Sequence, residues 1–373
     1  MTRSPCPLSS PTSFSALWAA GAFAIVAALL PACVVGADGG EGEGEGEGEG
    51  EGEGEVEPLP ADDAAWTYTL LDGAECGNGD PVGVATNRGS SSRLVVYLEG
   101  GGACWNSFTC SNGFAVFVDT GLPQSVIRQI TSLAIGIFDR DAVANPFADD
   151  SFAYVPYCTG DVHSGARAET PWGVRHVGST NLAVMLPRIL ATWPDATEVV
   201  LAGASAGGYG VVYNAERLRA LLPLSTTLSL VIDSGIPLPP FPGAAVYAAE
   251  QVAAWQPTLC DGCDTVDEMF DHVVSALPDA RIGLIQSNAD STLRQFYSPD
   301  GNRLPVATWK AAVDAFVDAR GDRANVRFFV TDEERHVYVY DRDLAATVVD
   351  GMTLSDFMAG VAGDGDYVSA VAP

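Results

Sequence analysis

The sequence predicts an α/β fold in which a mostly parallel sheet carries helices on both faces. From Trp66 onward, short apolar runs alternate with longer segments of helical period, which is typical of βαβ units. The apolar runs show little polar alternation, as expected for strands that are buried on both sides. Because no internal repeat or second linker interrupts this pattern, residues 61–373 are predicted to form one domain.

Six apolar runs are predicted to be strands, and they cover residues 94–98, 152–156, 199–202, 228–232, 281–285 and 326–330. Four segments have the period of an amphipathic helix, and they cover residues 179–192, 207–222, 265–277 and 306–320. Each of these helices follows a strand, so the connections are long enough for neighbouring strands to run parallel.

Residues 1–32 are predicted to be a signal peptide. Arg3 precedes an uncharged apolar run over 14–30, which ends before Pro31 and Cys33. These last residues resemble a bacterial lipobox, in which the signal is cut before a cysteine that carries the lipid, although Pro31 departs from the usual pattern. We expect Cys33 to be a lipid anchor. Cleavage without lipidation and an uncleaved membrane anchor are the alternatives.

Residues 33–60 are predicted to be a disordered acidic linker. Glu and Gly alternate without a break over 41–55, which leaves no side chains to bury and gives a flexible, self-repelling chain. We interpret this run as a tether, and loose binding of divalent cations is the alternative. The whole N-terminal region predicts an exported protein, either a lipoprotein of the cell surface or outer membrane or a secreted protein.

The net charge limits the partners that the protein can bind. The formal charge is −29, and the first 57 residues contain nine glutamates, Asp38 and Arg3, so about −20 remains on the rest. Nucleic acid is excluded as a partner because phosphate backbones require clusters of Lys and Arg, whereas Lys310 is the single lysine. An anionic polymer would also be repelled unless a basic patch or cations screened the charge.

The cysteines indicate three disulfides. Cys6 leaves with the signal peptide and Cys33 is the expected lipid site, so six remain in an oxidising compartment. The close pairs Cys104–Cys110 and Cys260–Cys263 suggest themselves and leave Cys76–Cys158, although spacing alone does not fix the pairing. The second close pair, in a CDGC segment, could instead be a redox or metal motif, but it lacks partners at ligand spacing.

A serine lies at the point where a predicted strand gives way to a predicted helix. The segment is Gly203-Ala204-Ser205-Ala206-Gly207, and small residues on both sides of a serine at such a turn are typical of the nucleophile elbow of α/β-hydrolases. The helix N-terminus offers N–H groups and positive potential to a developing oxyanion. We therefore predict an α/β-hydrolase-like domain with Ser205 as nucleophile. A tight βα turn without chemistry is the alternative.

A serine nucleophile needs a general base, and histidine is the side chain best suited to that task. In α/β-hydrolases the base follows the nucleophile along the chain, which excludes His163 and His176. His336 follows the strand 326–330, at the sheet edge where catalytic groups collect. We predict that His336 is the base, with His272, inside a predicted helix, as the alternative.

The acid that orients the imidazole is expected between the serine and the histidine in the chain. Asp290 lies in the loop after the strand 281–285, and this order makes it our first choice. Asp233, directly after the strand 228–232, is the alternative. The acidic residues at 332–334 are interpreted as part of a solvated loop.

A glycine loop follows the first predicted strand, with the sequence Glu99-Gly100-Gly101-Gly102-Ala103-Cys104. Backbone without side chains can approach a substrate oxygen closely. We predict that the amides of Gly101 and Gly102, with that of Ala206, form an oxyanion hole, and that a Cys104–Cys110 bridge would hold the loop rigid. A phosphate-binding loop is disfavoured because the Lys-Ser or Lys-Thr pair is missing.

Several segments resemble the family of pectin acetylesterases and Notum-type extracellular carboxylesterases. They are LEGGGACWNSFTC from Leu98, YVPYCTGDVHSG from Tyr154, LAGASAGGYGVVYNAERL from Leu201 and VIDSG from Val231, followed by the loops of Asp290 and His336. The resemblance covers nearly all of residues 66–345. It implies a Ser–Asp–His esterase of α/β-hydrolase fold, with Ser205, Asp290 and His336 at the matching positions.

The resemblance also implies a disulfide within the glycine loop and one that joins Cys76 to Cys158. Ala103 stands where relatives often have an aromatic residue, so the acyl pocket is expected to differ. Asp161 and His163, in the TGDVHSG segment, are candidate pocket residues, and ordinary loop positions are the alternative.

These features predict an ester hydrolase that removes acetyl or another short acyl group from an extracellular polymer, with a polysaccharide as first choice. The expected mechanism needs no metal or cofactor. Two alternatives stay open: a Notum-like deacylase of a lipidated protein, and an inactive carbohydrate-binding module on the same scaffold. We expect a monomer that touches the membrane only through an N-terminal lipid.

Overall fold

The computed structural model describes residues 56–62, 65–142, 144–298 and 302–373. The predicted signal peptide, the lipid site Cys33 and the Glu-Gly run lie outside the described residues. The linker was predicted to extend to residue 60, but Leu59 is buried and its backbone N–H donates to Thr192 Oγ1 at 2.8 Å. The folded part therefore begins before residue 60, because an apolar side chain near the end of the predicted linker packs into the core.

Within the described residues the strands are β1 (Thr67–Glu75), β2 (Pro81–Asn87), β3 (Arg93–Leu98), β4 (Ser151–Val155), β5 (Glu198–Ala204), β6 (Thr227–Asp233), β7 (Arg281–Ser287), β8 (Val326–Thr331), β9 (Val348–Val349), β10 (Met352–Thr353) and β11 (Ala370–Val371). Nine of them form one sheet in the order β1-β2-β4-β3-β5-β6-β7-β8-β11, and β9 pairs with β10. The pairs β1/β2 and β2/β4 are antiparallel, and the other pairs in the large sheet are parallel. All six predicted strands are present in the parallel part.

The helices of the described chain are α1 (Ser107–Ser111), α2 (Gln124–Ile130), α3 (Gly178–Thr192), α4 (Ala206–Leu221), α5 (Ala245–Trp255), α6 (Val266–Ala276), α7 (Leu293–Phe296), α8 (Val306–Arg320) and α9 (Leu354–Ala362). The four predicted helices correspond to α3, α4, α6 and α8. None of the helices in the described ranges is both long and apolar enough to span a membrane.

Alternate residues of each central strand pack on opposite faces of the sheet, as strand geometry requires. On β3, Leu94 and Leu98 face the core shared with α3, α4, α6 and α8, whereas Val95 and Tyr97 face the core shared with α2 and α9. Both faces of the sheet are therefore covered by helices, and the predicted α/β class is confirmed. This arrangement brings the loops after the parallel strands to one edge, where Ser205 lies directly after β5.

Three disulfides are present, as predicted, and they join Cys76 to Cys158, Cys104 to Cys110 and Cys260 to Cys263. Cys76 and Cys158 are buried and close a loop with a sequence separation of 82 residues. The separation is only 3 residues for Cys260–Cys263. Because a cross-link removes more entropy from the unfolded chain when its loop is long, the first bridge contributes more to stability.

We expect the double substitution Cys76→Ser and Cys158→Ser to lower the free energy of unfolding by about 4 kcal/mol, and the matched pair Cys260→Ser and Cys263→Ser by about 2 kcal/mol. Denaturant unfolding of the parent protein and both variants under non-reducing conditions measures the two values. Equal losses, or a larger loss for the short loop, would contradict this ranking.

Candidate active site

Ser205 occupies a strained turn between β5 and α4. Its backbone has φ 55° and ψ −119°, a left-handed region that residues with side chains rarely adopt. The turn is closely packed, since a Cβ added to Gly207 would lie 1.9 Å from the carbonyl oxygen of Leu98. The backbone N–H of Ser205 donates to the carbonyl oxygen of Asp233 at 2.8 Å. This is the geometry of the predicted nucleophile elbow, and it presents the side chain above the end of the sheet.

The side chains of His336 and Asp290 form a hydrogen-bonded pair. His336 Nδ1 lies 2.8 Å from Asp290 Oδ2, and the carboxylate is completely buried. Gln286 donates to the same oxygen at 3.1 Å, while Oδ1 accepts the backbone N–H groups of Thr292 and Leu293. The carboxylate is therefore held in one orientation. With Nδ1 facing this acceptor, the proton of a neutral imidazole resides there and Nε2 is the basic nitrogen.

In the described part of the chain, no hydrogen bond joins Asp233, the alternative acid, to His336. Its Oδ2 accepts the backbone N–H groups of Tyr338 and Val339 at 2.7 and 2.8 Å, and Ser234 donates to its Oδ1 at 2.9 Å. Burial raises the pKa of Asp233, against the lowering effect of these hydrogen bonds. The carboxylate thus fastens the loop that carries His336, and the same residue's carbonyl binds the Ser205 amide.

The glycine loop lies against the turn of Ser205. A Cβ added to Gly100 would be 3.0 Å from Ser205 Cβ, so glycine is needed for this approach. Gly102 has φ 79°, and a Cβ there would lie 1.9 Å from the carbonyl oxygen of Phe114. Ala206 is the first residue of α4, so its amide has no acceptor within the helix. Gly102, Ser205 and Ala206 line one cavity, whereas Gly101 is not part of its lining.

Asp161 and His163 do not line this cavity, although Val162 between them does. Both are buried. Asp161 accepts the backbone N–H groups of His163 and Gly178, and His163 Nε2 lies 2.8 Å from the carbonyl oxygen of Glu99. Burial lowers the pKa of His163, which favours a neutral ring. The expectation that these two side chains form the acyl pocket is thus not met, because their contacts hold the start of the glycine loop and of α3.

Glu99, at the start of the glycine loop, is a second ionisable group near the site. Its Oε2 accepts the backbone N–H of Tyr157 at 2.9 Å. Burial raises the pKa of Glu99 to about 7, and the hydrogen bonds from Tyr157 and Tyr154 oppose this effect. Sequence reasoning gave Glu99 no role, and the structure gives it one in anchoring the loop.

The cavity has a volume of about 130 Å³ and a predominantly apolar wall. Side chains that line it include Tyr209, Tyr213, Leu238, Val252, Trp255, Phe296 and Tyr297. Asp264 is the single charged residue among the described lining residues. Helix α5, which sequence reasoning missed, supplies one wall. Its Ala-rich sequence gives little periodic signal.

The remaining histidines have other partners. His272, the alternative base, lies on α6 and its Nε2 is 2.9 Å from Glu216 Oε1. His176 is buried, and its Nδ1 is 2.8 Å from the carbonyl oxygen of Thr159. In the described part of the chain, one group of potential metal ligands comes together, formed by Cys104, Cys110 and His176. Its two cysteines are joined in a disulfide, so they offer no thiolate to a metal ion.

Residues 63–241 match the family model described as pectinacetylesterase. Notum2 of Xenopus laevis, named a palmitoleoyl-protein carboxylesterase, is 32% identical over 155 residues, which are 39% of this chain and 31% of the relative. Mouse Notum is 30% identical over 165 residues, or 43% of this chain and 32% of the relative. The aligned part thus spans about a third of the length of these curated relatives.

Solved structures extend the similarity to most of the described chain. The Wnt deacylase Notum from Drosophila superposes with a TM-score of 0.62 and 21% identity, over 78% of this chain and 91% of that structure. A second crystal form gives a TM-score of 0.61, with 79% and 92% covered. This similarity shows the α/β-hydrolase fold. In sequence, residues 63–241 are similar to the pectinacetylesterase family, and the aligned segments are similar to Notum carboxylesterases.

Proposed function

We propose that the protein is an exported serine carboxylesterase in which Ser205, His336 and Asp290 act as a catalytic triad. The observation that carries the proposal is that the turn of Ser205 and the loop of the hydrogen-bonded His336–Asp290 pair are both fastened to Asp233. The carbonyl of Asp233 accepts the Ser205 N–H, and its carboxylate accepts amides of the His336 loop. Ser205 also lines one cavity together with Gly102 and Ala206. The similarity to pectinacetylesterases and Notum carboxylesterases supports the same reaction class.

In the proposed mechanism, His336 Nε2 takes the proton of Ser205 Oγ as that oxygen attacks the ester carbonyl. The amides of Gly102 and Ala206, which line the cavity, stabilise the oxyanion that forms, and the neighbouring amide of Gly101 is the third predicted donor. His336 then gives its proton to the departing alcohol and activates a water molecule, which hydrolyses the acyl-enzyme. Asp290 keeps the imidazole in the required tautomer and stabilises its protonated form.

The cavity supports an acyl group of several carbons more strongly than acetyl alone. Its volume is about 130 Å³, and one water molecule needs only about 10–15 Å³ on the same measure. A predominantly apolar wall favours an aliphatic chain over a sugar hydroxyl. The curated relatives are named palmitoleoyl-protein carboxylesterases, which agrees with a long acyl group.

The second candidate is removal of acetyl groups from an extracellular polysaccharide, the first choice of the sequence analysis. The pectinacetylesterase family match favours it. The charge of about −20 outside the first 57 residues opposes a polyanionic substrate such as pectin, because like charges repel.

We also propose that residues 1–32 direct export, that Cys33 carries a lipid, and that the acidic run tethers the catalytic domain that follows it.

Ser205→Ala is expected to reduce hydrolysis of p-nitrophenyl butyrate by at least about 10⁴-fold, because no other group in the cavity replaces the nucleophile. Labelling by a fluorophosphonate probe should be lost in parallel, while the thermal unfolding temperature stays close to that of the parent. A parent protein that is folded but neither hydrolyses the ester nor reacts with the probe would favour the inactive binding module instead.

The substitutions Asp290→Asn and Asp233→Asn test which of the two carboxylates orients His336 in catalysis and which one stabilises the fold. Asp290→Asn should lower kcat by about 10³–10⁴-fold, far more than Asp233→Asn does, because the imidazole then adopts the wrong tautomer. Asp233→Asn should lower the free energy of unfolding by about 1–3 kcal/mol, since a buried amide cannot replace all the acceptors. Steady-state kinetics and denaturant unfolding of both variants make the comparison. If Asp233→Asn instead causes the larger loss of kcat, Asp233 is the catalytic acid.

The acyl preference is tested with p-nitrophenyl esters from acetate to octanoate. Each buried methylene is worth about 0.8 kcal/mol, or roughly fourfold in kcat/KM, so the rate should rise from acetate to hexanoate. Ala248 lines the cavity, whereas Ala249 on the same helix is exposed. Ala248→Phe should therefore shift the preference towards acetate, and the control Ala249→Phe should not. A parent preference for acetate would instead support the polysaccharide acetylesterase.

A further inference from the structure

Trp255, the last residue of α5, contacts both the cavity and the glycine loop. Its side chain lines the cavity beside Ser205 and is only 4% exposed. Its indole Nε1–H donates to the backbone carbonyl oxygen of Cys104 at 2.8 Å. Cys104 ends the glycine loop, two residues after Gly102. One side chain therefore belongs both to the cavity wall and to the support of the loop.

The glycine loop has other ties besides Trp255. The N–H of Ala103 donates to the carbonyl oxygen of Phe114 at 2.9 Å, and the N–H of Cys104 donates to that of Gly160 at 2.8 Å. The side chains of Glu99 and His163 hold the start of the loop, and the Cys104–Cys110 disulfide holds its end. Among these ties, the indole of Trp255 is the one that comes from a residue outside the loop that lines the cavity.

A second tie between α5 and the loop is more exposed. The indole Nε1–H of Trp105 donates to Glu250 Oε2 at 3.1 Å, and the Glu250 side chain lies at the surface. Exposed hydrogen bonds compete with water and contribute little. The Trp255 bond is buried, where breaking it leaves a carbonyl without a partner, so it is the stronger of the two connections.

We propose that Trp255 is a positioning residue that couples occupation of the acyl cavity to the geometry of the glycine loop. The proposal rests on the proposed esterase function of Ser205. An acyl chain in the cavity packs against the Trp255 ring and keeps its indole N–H aimed at the Cys104 carbonyl. The loop amides that stabilise the oxyanion are then held in place, and their contribution depends on distances of a few tenths of an ångström.

Two substitutions of Trp255 separate its two contacts. Trp255→Phe keeps an aromatic wall but removes the N–H donor. Trp255→His keeps a ring N–H at an equivalent position, since Nε2 of histidine corresponds to Nε1 of tryptophan, but removes half of the wall. The matched control is Trp172→Phe, because Trp172 is also packed near the cavity and its Nε1 has no hydrogen-bond partner among the described residues.

With p-nitrophenyl hexanoate, Trp255→Phe should lower kcat about tenfold and change KM less than about threefold, because transition-state stabilisation is lost while ground-state binding is kept. Trp255→His should show the opposite split, with kcat within about threefold of the parent and KM raised. The control Trp172→Phe should leave both parameters within about twofold. Thermal unfolding of every variant identifies any that is not folded at the assay temperature.

The rate of fluorophosphonate labelling at Ser205 gives an independent reading, since the probe's oxygen occupies the same oxyanion site. Trp255→Phe should slow labelling by the same factor as kcat. If Trp255→Phe raises KM and leaves kcat unchanged, or if Trp172→Phe loses as much activity, Trp255 is only part of the wall and the coupling is refuted. If the parent enzyme itself does not label or turn over, the esterase function fails, which is a different result.

Discussion

The buried carboxylate and carbonyl of Asp233 hold together the two parts of the site. The carbonyl accepts the N–H of Ser205, and the carboxylate accepts the N–H groups of Tyr338 and Val339 next to His336. The strand β6, which ends at Asp233, pairs with β5 on one side and β7 on the other. The elbow and the histidine loop are therefore fixed to the same point of the sheet, and their relative position follows from the sheet itself.

This arrangement costs stability that the rest of the fold must supply. Ser205 keeps a left-handed backbone, and Asp233 and Asp290 are buried carboxylates. Each is tolerated because its surroundings are specific: tight packing around Gly207 determines the turn, and backbone amides satisfy both acids. The sheet, apolar on both faces, provides the rigidity that these features require. Strain and buried charge are concentrated where the chemistry is proposed to take place.

Periodicity and chain order predicted most of the scaffold. The six central strands and four helices followed from apolar patterns, and the order serine, acid, histidine pointed to Asp290 and His336, whose side chains lie 2.8 Å apart. Two aspects were beyond such reasoning. In the TGDVHSG loop, sequence does not tell which side chain points into the cavity, and it is Val162 rather than His163. Helix α5 was missed because its position depends on contacts with Cys104 and Trp105, not on its own pattern.

The location of α5 also explains how an acidic protein can offer an apolar site. The wall that α5 completes brings apolar side chains around the space beside Ser205. Apolar surroundings strengthen the electrostatic effect of loop amides on an oxyanion, because fewer water dipoles compete with them. In the proposed function, the same wall also selects for an aliphatic group. On that proposal, α5 contributes both to stabilisation of the oxyanion and to acyl selectivity. A residue that contacts both the cavity and the loop then matters more than its distance from Ser205 in the sequence would suggest.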